Sequence, residues 1–331
     1  MPRGTLLTEF SSKTLDFFIE KLLNYKQQDL SHLLTMCPRE DVFLMLNTKN
    51  PTTYQEQMTL LKTRGCVIPD DEFCLKILQS VNYYRLSAYF LPFKNADDSF
   101  KPGTDFSKIV DIYNFDRELR RVLFSAIEEI EIFLKTQFSY FHAHRYGSTG
   151  YLCAENFSER HNAQKFKELI DKEINNNKKV LFVKHHIEKY DGVFPIWVIT
   201  ELFTFGMLSY FYADLKTPDK KVLARQLYDT VPQNMTSYLR CVTDMRNIVA
   251  HYGRLYYRIF PAIPANIGVP ETAKRKLWGA IQAVRLLYPN RQKWNEEIIP
   301  AMQKVFDSYA DSIDLVHIAF PNDWAERIKN T

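Results

Sequence analysis

The residues best suited to chemistry lie together in one short segment, residues 246–254. Arg246 and His251 are separated by four residues, the first of which is Asn247. An arginine can hold a phosphate with paired hydrogen bonds and stabilise negative charge as it develops. A histidine can accept or donate a proton near neutral pH, and an asparagine can orient either group. This set of side chains can therefore cleave RNA without a metal ion.

Apolar residues around the segment recur at helical spacing, which predicts that it lies on a helix. Asn247 and His251 are then one turn apart on the same face, while residues 248–250 can face a core. Arg254 continues this polar stripe only if the helix extends that far. Gly253 indicates that the helix can end first and redirect the side chain of Arg254.

The spacing of an arginine and a histidine is a weak signal by itself, because so short a pattern often arises by chance. The alternative is structural: Arg246 and His251 satisfy each other, or nearby carbonyl groups, inside a bundle of helices. The residues of the segment leave both interpretations open.

Composition favours an all-α protein. The chain has 331 residues, of which 46% are hydrophobic and 25% charged, a mixture typical of soluble globular proteins. Its 10 glycines are too few for a β-sandwich or barrel built on tight turns. We predict an N-terminal helical arm, residues 1–50, and one helical domain, residues 51–331.

The elements that must position the segment are read from hydrophobic periodicity and from Gly and Pro residues. The predicted helices cover residues 8–36 (one or two helices), 53–64, 70–93 with a break near 85–87, 106–146, 160–176, 179–190, 195–212, 218–228, 235–253, 271–287 and 292–312. The run at 106–146 is the longest. We expect Trp197 and Trp324 to be packing anchors.

The net charge of +4 permits contact with nucleic acid without requiring it. The five cysteines are scattered without a C-x-x-C pair, and Asp, Glu and His residues show no metal-ligand spacing. We therefore expect no metal and no other cofactor. No apolar run approaches the about 20 residues that span a bilayer, and the N-terminus lacks the features of a signal peptide. We expect a cytoplasmic protein that does not enter membranes.

Several stretches, in order along the chain, resemble the Abi-like family (AbiD/AbiF type) known from bacterial abortive infection. The matching stretches are residues 53–57, 60–65, 82–89, 113–120, 130–136, 195–197, 205–206, 246–254 and 320–324. The resemblance implies an HEPN-like helical bundle with additional peripheral helices, and residues 1–50 lie outside it. Two positions depart from the family pattern: Lys135 stands where an arginine is usual, and Tyr252 stands where a second histidine often follows the first.

The resemblance also implies a mechanism in which RNA supplies its own nucleophile, the ribose 2′-OH. His251 deprotonates this hydroxyl or protonates the leaving 5′-oxygen, and Arg246 offsets charge on the phosphate. Asn247 belongs to the same catalytic set. The products are a 2′,3′-cyclic phosphate or 3′-phosphate and a 5′-OH, and DNA resists cleavage.

The chain carries one such Arg-x4-His pattern, whereas related ribonucleases build a composite site from two motifs. We therefore predict a homodimer in which Arg246, Asn247 and His251 of both copies face one cleft. Arg254 is expected to bind a flanking phosphate.

Four further residues are candidates for supporting the site or binding RNA. Glu131 and Lys135, one turn apart on the long helix, either form an ordinary surface ion pair or face His251 and tune it. Tyr84 and Arg85 either stack on and grip single-stranded RNA or belong to the core with a salt-bridged arginine.

Three functions remain in competition. The first is a toxin-like endoribonuclease of anti-phage defence that acts on RNA. The second is a non-catalytic RNA-binding protein that forms a ribonucleoprotein with a structured RNA. The third is a helical module that binds a protein partner, which salt-sensitive RNA affinity would distinguish from the second.

Overall fold

Periodic apolar residues fold into helices throughout residues 50–329, the part of the chain that the computed structural model describes. Within this range there are isolated β-bridges but no β-strand, so the all-α prediction is confirmed there. Residues 54–329 belong to one compact unit. The predicted N-terminal arm and its helix at residues 8–36 lie outside the described residues, apart from residue 50.

The helices are numbered in chain order. They are α1 (Tyr54–Thr63), α2 (Asp71–Ser80), α3 (Tyr83–Phe90), α4 (Phe106–Tyr146), α5 (Ala163–Asn176), α6 (Leu181–Lys189), α7 (Ile196–Ile199), α8 (Phe205–Asp214), α9 (Thr217–Tyr228), α10 (Pro232–Ala250), α11 (Glu271–Lys274), α12 (Leu277–Leu287), α13 (Arg291–Lys293), α14 (Ile299–Ser308), α15 (Leu315–Ile318) and α16 (Trp324–Arg327). A π-helical turn, Trp294–Ile298, joins α13 to α14.

Helix α4 is the central element, and its predicted bounds are confirmed at both ends. The side chain of Asp105 accepts a hydrogen bond from Ser107 N at the start, and Gly147 ends the helix with a φ of 83°. One face carries a continuous buried stripe: Ile109, Ile112, Leu119, Leu123, Ile127, Ile130 and Leu134. Helices α3, α7, α8, α10, α12 and α14 all pack against α4. Burial of this stripe therefore fixes the position of α10. We call Arg246, Asn247 and His251, at the end of α10, the motif.

The break in the predicted helix at 70–93 comes earlier than expected. It lies at Val81 and Asn82, where Val81 is extended with a φ of −128°. The side chain of Asn82 then caps α3 by accepting a hydrogen bond from Tyr84 N. The prediction of a break near residues 85–87 was wrong because capping by Asn82 outweighs the weak breaking tendency of Ser87.

Other predicted helices are divided or shortened. Residues 195–212 form α7, a 3₁₀ turn and α8, because Thr204 caps α8 at Met207 N. Residues 271–287 form α11 and α12, which approach closely at Gly279. A Cβ atom on Gly279 would lie 2.4 Å from the Lys274 carbonyl oxygen, so only glycine fits there. The last predicted helix begins at α13 and ends at Ser308, through the π-helical turn.

Candidate functional site

The motif lies at the carboxyl end of α10, and the helix ends earlier than residue 253. It stops at Ala250, and His251 is the residue that caps it. His251 N still donates to Asn247 O at 3.0 Å, so the two residues are one helical turn apart as predicted. Tyr252 then adopts a left-handed conformation with a φ of 58°. The polar stripe of α10 therefore ends at His251.

The turn after His251 is tightly closed. Gly253 N donates to Ile248 O at 2.7 Å, which satisfies one of the last carbonyl groups of the helix. A Cβ atom on Gly253 would lie 3.1 Å from Ile248 Cγ2 and 3.2 Å from Ile248 O. These distances are tighter than ordinary van der Waals contact, so a side chain at this position would require a small shift of Ile248 or of the turn.

Asn247 and His251 are both exposed to solvent. Neither side chain makes a hydrogen bond with any of residues 50–329, whereas the Arg246 side chain is held nearby. Arg246 Nε lies 3.8 Å from Glu131 Oε2, with 30% of the arginine side chain exposed. The alternative in which Arg246 and His251 bond to each other is therefore not what the structure shows.

Glu131 and Lys135 form the expected i, i+4 ion pair, with Oε1 and Nζ 3.3 Å apart. Lys135 Nζ also donates to the backbone oxygen of Glu201 at 3.1 Å. One of the two alternatives had this pair facing His251, but its described contact with the motif is to Arg246. The pair lines a pocket of about 250 Å³ together with Arg246 and Glu201. Glu131 thus contacts both Lys135 and the arginine of the motif.

Arg254 does not continue the stripe of α10, because the turn at Tyr252 and Gly253 redirects the chain. Its guanidinium donates to the backbone oxygen of Ala88 on α3, and the residue is half-buried. The guanidinium of Arg254 is thus already bonded to the protein backbone. Binding of a flanking phosphate by Arg254 stays a prediction.

Two charged residues of α4 hold the chain that follows the motif, and we had not named them as site residues. Arg120 Nη1 donates to Gly253 O at 3.0 Å. Asp116 accepts hydrogen bonds from Leu255 N at 2.7 Å and from Tyr256 N at 2.9 Å. Burial raises the pKa of Asp116 to about 6, while the two amides and Arg120 oppose this rise. We call Asp116, Arg120 and Arg85 the turn brace.

Arg85 completes the turn brace from α3, since its Nη1 donates to Tyr252 O at 2.8 Å. It is otherwise exposed, so it supports the turn and faces solvent at once. Tyr84 is 85% exposed, which makes the core interpretation wrong for this tyrosine. The available signal for Asp116 and Arg120 was a charged pair at i, i+4 beside the apolar stripe of α4.

A cleft of about 660 Å³ opens beside the end of α10. We call it the arginine cleft. Its charged lining is Arg85, Arg117, Arg120, Arg121 and Glu128, and its aromatic lining is Tyr113, Phe124 and Tyr252. Val249 and Ala250 also line it, so the cleft borders the helix end that carries His251.

Between residues 50 and 329, no group of three His, Cys, Asp or Glu side chains is arranged to hold a metal ion. In the same range, every helix is too short or too polar to cross a membrane.

The comparison with protein families places the chain in a family. A family model described as Abi-like protein matches residues 76–257, more than half of the chain. The chain belongs to the Abi-like family. This membership suggests a role in abortive infection. No curated protein and no solved structure matches the chain.

The Abi-like match contains all eight residues that we predicted for the site, and it ends just after the segment held by the turn brace. The resembling stretches at residues 53–65 and 320–324 lie outside it. The matched segment thus includes both the motif and the residues that position it.

Proposed function

We propose that this Abi-like protein is a metal-independent, HEPN-type endoribonuclease of a toxin-like anti-phage abortive-infection system. The observation that carries the proposal is the open pair of Asn247 and His251, whose side chains lack hydrogen-bond partners among residues 50–329. They lie on the last turn of α10, which also carries Arg246, and buried charged groups hold the chain that directly follows. Exposed polar groups that leave their hydrogen-bonding capacity free, on a backbone that other contacts hold in place, are typical of sites that act on a ligand.

In this mechanism His251 takes the proton of the ribose 2′-OH as that oxygen attacks the adjacent phosphorus. The bond from phosphorus to the 5′-oxygen breaks, and the leaving oxygen takes a proton from a second histidine. Arg246 stabilises the charge that builds on the phosphate, and Asn247 orients the reacting groups. Glu131 keeps the guanidinium in place throughout.

The need for a base and an acid supports a homodimer, because each copy carries one such histidine. The surface beside Arg246 supports the same view. Phe124 and Ile132, two turns apart on α4, are 45% and 60% exposed and line the pocket that contains Arg246. Exposed apolar side chains of this size are suited to an interface between copies.

The direct test is cleavage of single-stranded RNA by the purified full chain in EDTA. We expect RNA but not DNA to be cut, leaving 5′-OH and 2′,3′-cyclic phosphate ends. His251→Ala should abolish cleavage, while His185→Ala, which changes an exposed histidine on α6, should not. Equal cleavage by the His251→Ala protein would remove this residue from the mechanism.

A second function, RNA binding without cleavage in a ribonucleoprotein with a structured RNA, is favoured by the arginine cleft. An arginine-lined cleft can hold phosphates without any reaction taking place. Salt-sensitive RNA binding that His251→Ala leaves unchanged, together with intact RNA, would support this second function over the first.

A further inference from the structure

Most of the arginines that line the arginine cleft have no carboxylate close enough to form an ion pair. Within residues 50–329, none of Arg85, Arg117 and Arg121 has a carboxylate within 4.0 Å. Arg120 is the exception, with Nη1 3.7 Å from Asp116 Oδ2. Elsewhere in the described chain, basic groups that line clefts are commonly paired, as Lys135 is with Glu131. The cleft lining has four arginines and one carboxylate, Glu128, and an excess of positive charge concentrates anionic ligands.

The four arginines form two pairs, of which one is hydrogen-bonded to the protein backbone and the other is exposed to solvent. Arg85 and Arg120 are committed to the carbonyl groups of Tyr252 and Gly253. Arg117 and Arg121 are exposed and make no hydrogen bond with residues 50–329. They are one turn apart on α4, so their Cβ atoms are about 5–6 Å apart. Two guanidinium groups at this spacing can grip one phosphate or two consecutive ones.

Aromatic rings border the same cleft. Tyr252 is 67% exposed and Phe124 is 45% exposed, although rings of this size are usually buried. Bases of a single strand stack on exposed aromatic side chains, whereas bases in a duplex are already stacked on one another. Tyr252 directly follows His251 in the chain and lines the cleft, so the cleft begins one residue after the histidine proposed for proton transfer. The volume of the cleft falls within the about 300–1,000 Å³ usual for ligand pockets.

We propose that the arginine cleft is a subsite for a nucleotide that flanks the cleaved bond in a single-stranded RNA. Arg117 and Arg121 bind its phosphate, and its base stacks on Tyr252 or Phe124. Arg85 and Arg120 act as positioning residues, since they hold the turn that forms one wall. The inference deepens the proposed function and rests on it in one respect: the same strand must reach His251.

Binding is tested first, with the full chain carrying His251→Ala so that the RNA stays intact. The probe is a fluorescein-labelled single-stranded RNA of twelve nucleotides. Adding Arg117→Ala with Arg121→Ala should weaken binding at least tenfold. It should also reduce the magnitude of the slope of log K against log salt by about 0.7, because each phosphate neutralised on a single strand contributes about that much.

The matched control removes two positive charges elsewhere. Arg160→Ala with Lys172→Ala changes two exposed residues that make no ion pair within the described chain. This protein should keep the affinity and the salt slope of its parent. An unchanged affinity and slope in the Arg117 and Arg121 double variant would overturn the subsite, and so would absence of RNA binding by the parent.

Cleavage separates failure of the subsite from failure of the proposed reaction. With His251 intact, the ratio of kcat/KM for the twelve-nucleotide RNA to that for a dinucleoside monophosphate should fall at least tenfold in the double variant. The dinucleoside monophosphate has no flanking phosphate. Loss of binding without any cleavage by the parent would overturn the reaction and keep the subsite. The opposite result is cleavage that depends on His251 together with an unchanged ratio and an unchanged binding constant in the double variant. That result would overturn the subsite and keep the reaction.

Discussion

Two regions of the molecule bring together the same kinds of side chain in opposite settings. Near the end of α4, His142, Arg145, Tyr146 and Asp219 form one group. The histidine is fully buried, and its ring packs against the rings of Tyr146 and Phe157. Tyr146 Oη donates to Asp219 at 2.6 Å, and Arg145 Nε lies 3.3 Å from the same carboxylate.

At the end of α10, His251 lies one helical turn after Asn247, on the same helix as the Arg246 that pairs with Glu131, and here the histidine is exposed. Burial lowers the pKa of His142 to about 4, so that its ring stays neutral and enclosed at physiological pH. A histidine, an arginine and a carboxylate therefore make a candidate reaction site only where a substrate can reach them. The first group stabilises the fold, and the second is available for chemistry.

The largest expected effect is the loss of RNA cleavage on replacing the exposed histidine, His251. His251→Ala should lower the rate of RNA cleavage by about 10²–10⁴-fold, since a positioned acid or base contributes that much. The melting temperature should stay close to that of the parent, because the side chain makes no hydrogen bond with the described residues. A large fall in melting temperature together with normal cleavage would reverse the roles assigned to the two regions.

Asp116→Ala should produce the largest loss of stability, about 3–5 kcal/mol, because it leaves Arg120 and two backbone amides without their buried partner. Chemical denaturation measures this loss. The control is Asp311→Ala, at an exposed aspartate, which should change the free energy of unfolding by less than about 0.5 kcal/mol. Equal effects of the two substitutions would show that the turn brace does not stabilise the domain.

His142→Phe should remove a pH dependence of stability. The pKa of this histidine is lowered from 6.5 to about 4 in the folded chain, so the unfolded chain takes up the proton first as pH falls. Its contribution is present above pH 6.5 and is lost as pH falls to about 4, by up to about 3 kcal/mol. Denaturation curves across this range, with His185→Phe as the control, measure the difference. Parallel curves for parent and His142→Phe would contradict the assignment.

The smallest expected effect concerns Glu131, which keeps Arg246 in place. Glu131→Gln should slow RNA cleavage by up to about fivefold, because a partly exposed ion pair contributes about 0.2–1 kcal/mol. Glu188→Gln, which removes an exposed ion pair with Lys184, should leave the rate unchanged. A loss of a hundredfold or more would mean that Glu131 takes part in the reaction instead of positioning the arginine.

The sequence predicts most of what depends on neighbours along the chain. Helix α4 is found with both ends because its apolar stripe is continuous and because Asp105 and Gly147 provide clear end signals. The position of Asn247 and His251 one turn apart follows from local periodicity in the same way. Trp324, which is 4% exposed, is the packing anchor that was expected.

What depends on distant contacts or on unusual backbone could not be predicted. Trp197 was expected to be a packing anchor and is 52% exposed, because helical spacing does not say which face meets a neighbour. The direction of Arg254 depends on the left-handed conformation of Tyr252, which a residue other than glycine seldom adopts. The arginine cleft forms only because α3 and α4 meet beside the end of α10, although these elements are far apart in the chain.

The turn brace has a consequence for the order in which the site forms during synthesis. Arg85 precedes the carbonyl group that it binds by 167 residues, and Arg120 precedes its own by 133. Both helices that supply the turn brace are therefore synthesised long before the turn. The hydrogen bonds of Asp116 form only after the amides of Leu255 and Tyr256 have been synthesised. Contacts of such long range form late in folding. The proposed endoribonuclease would thus acquire the turn that follows its histidine only after most of the domain has been made.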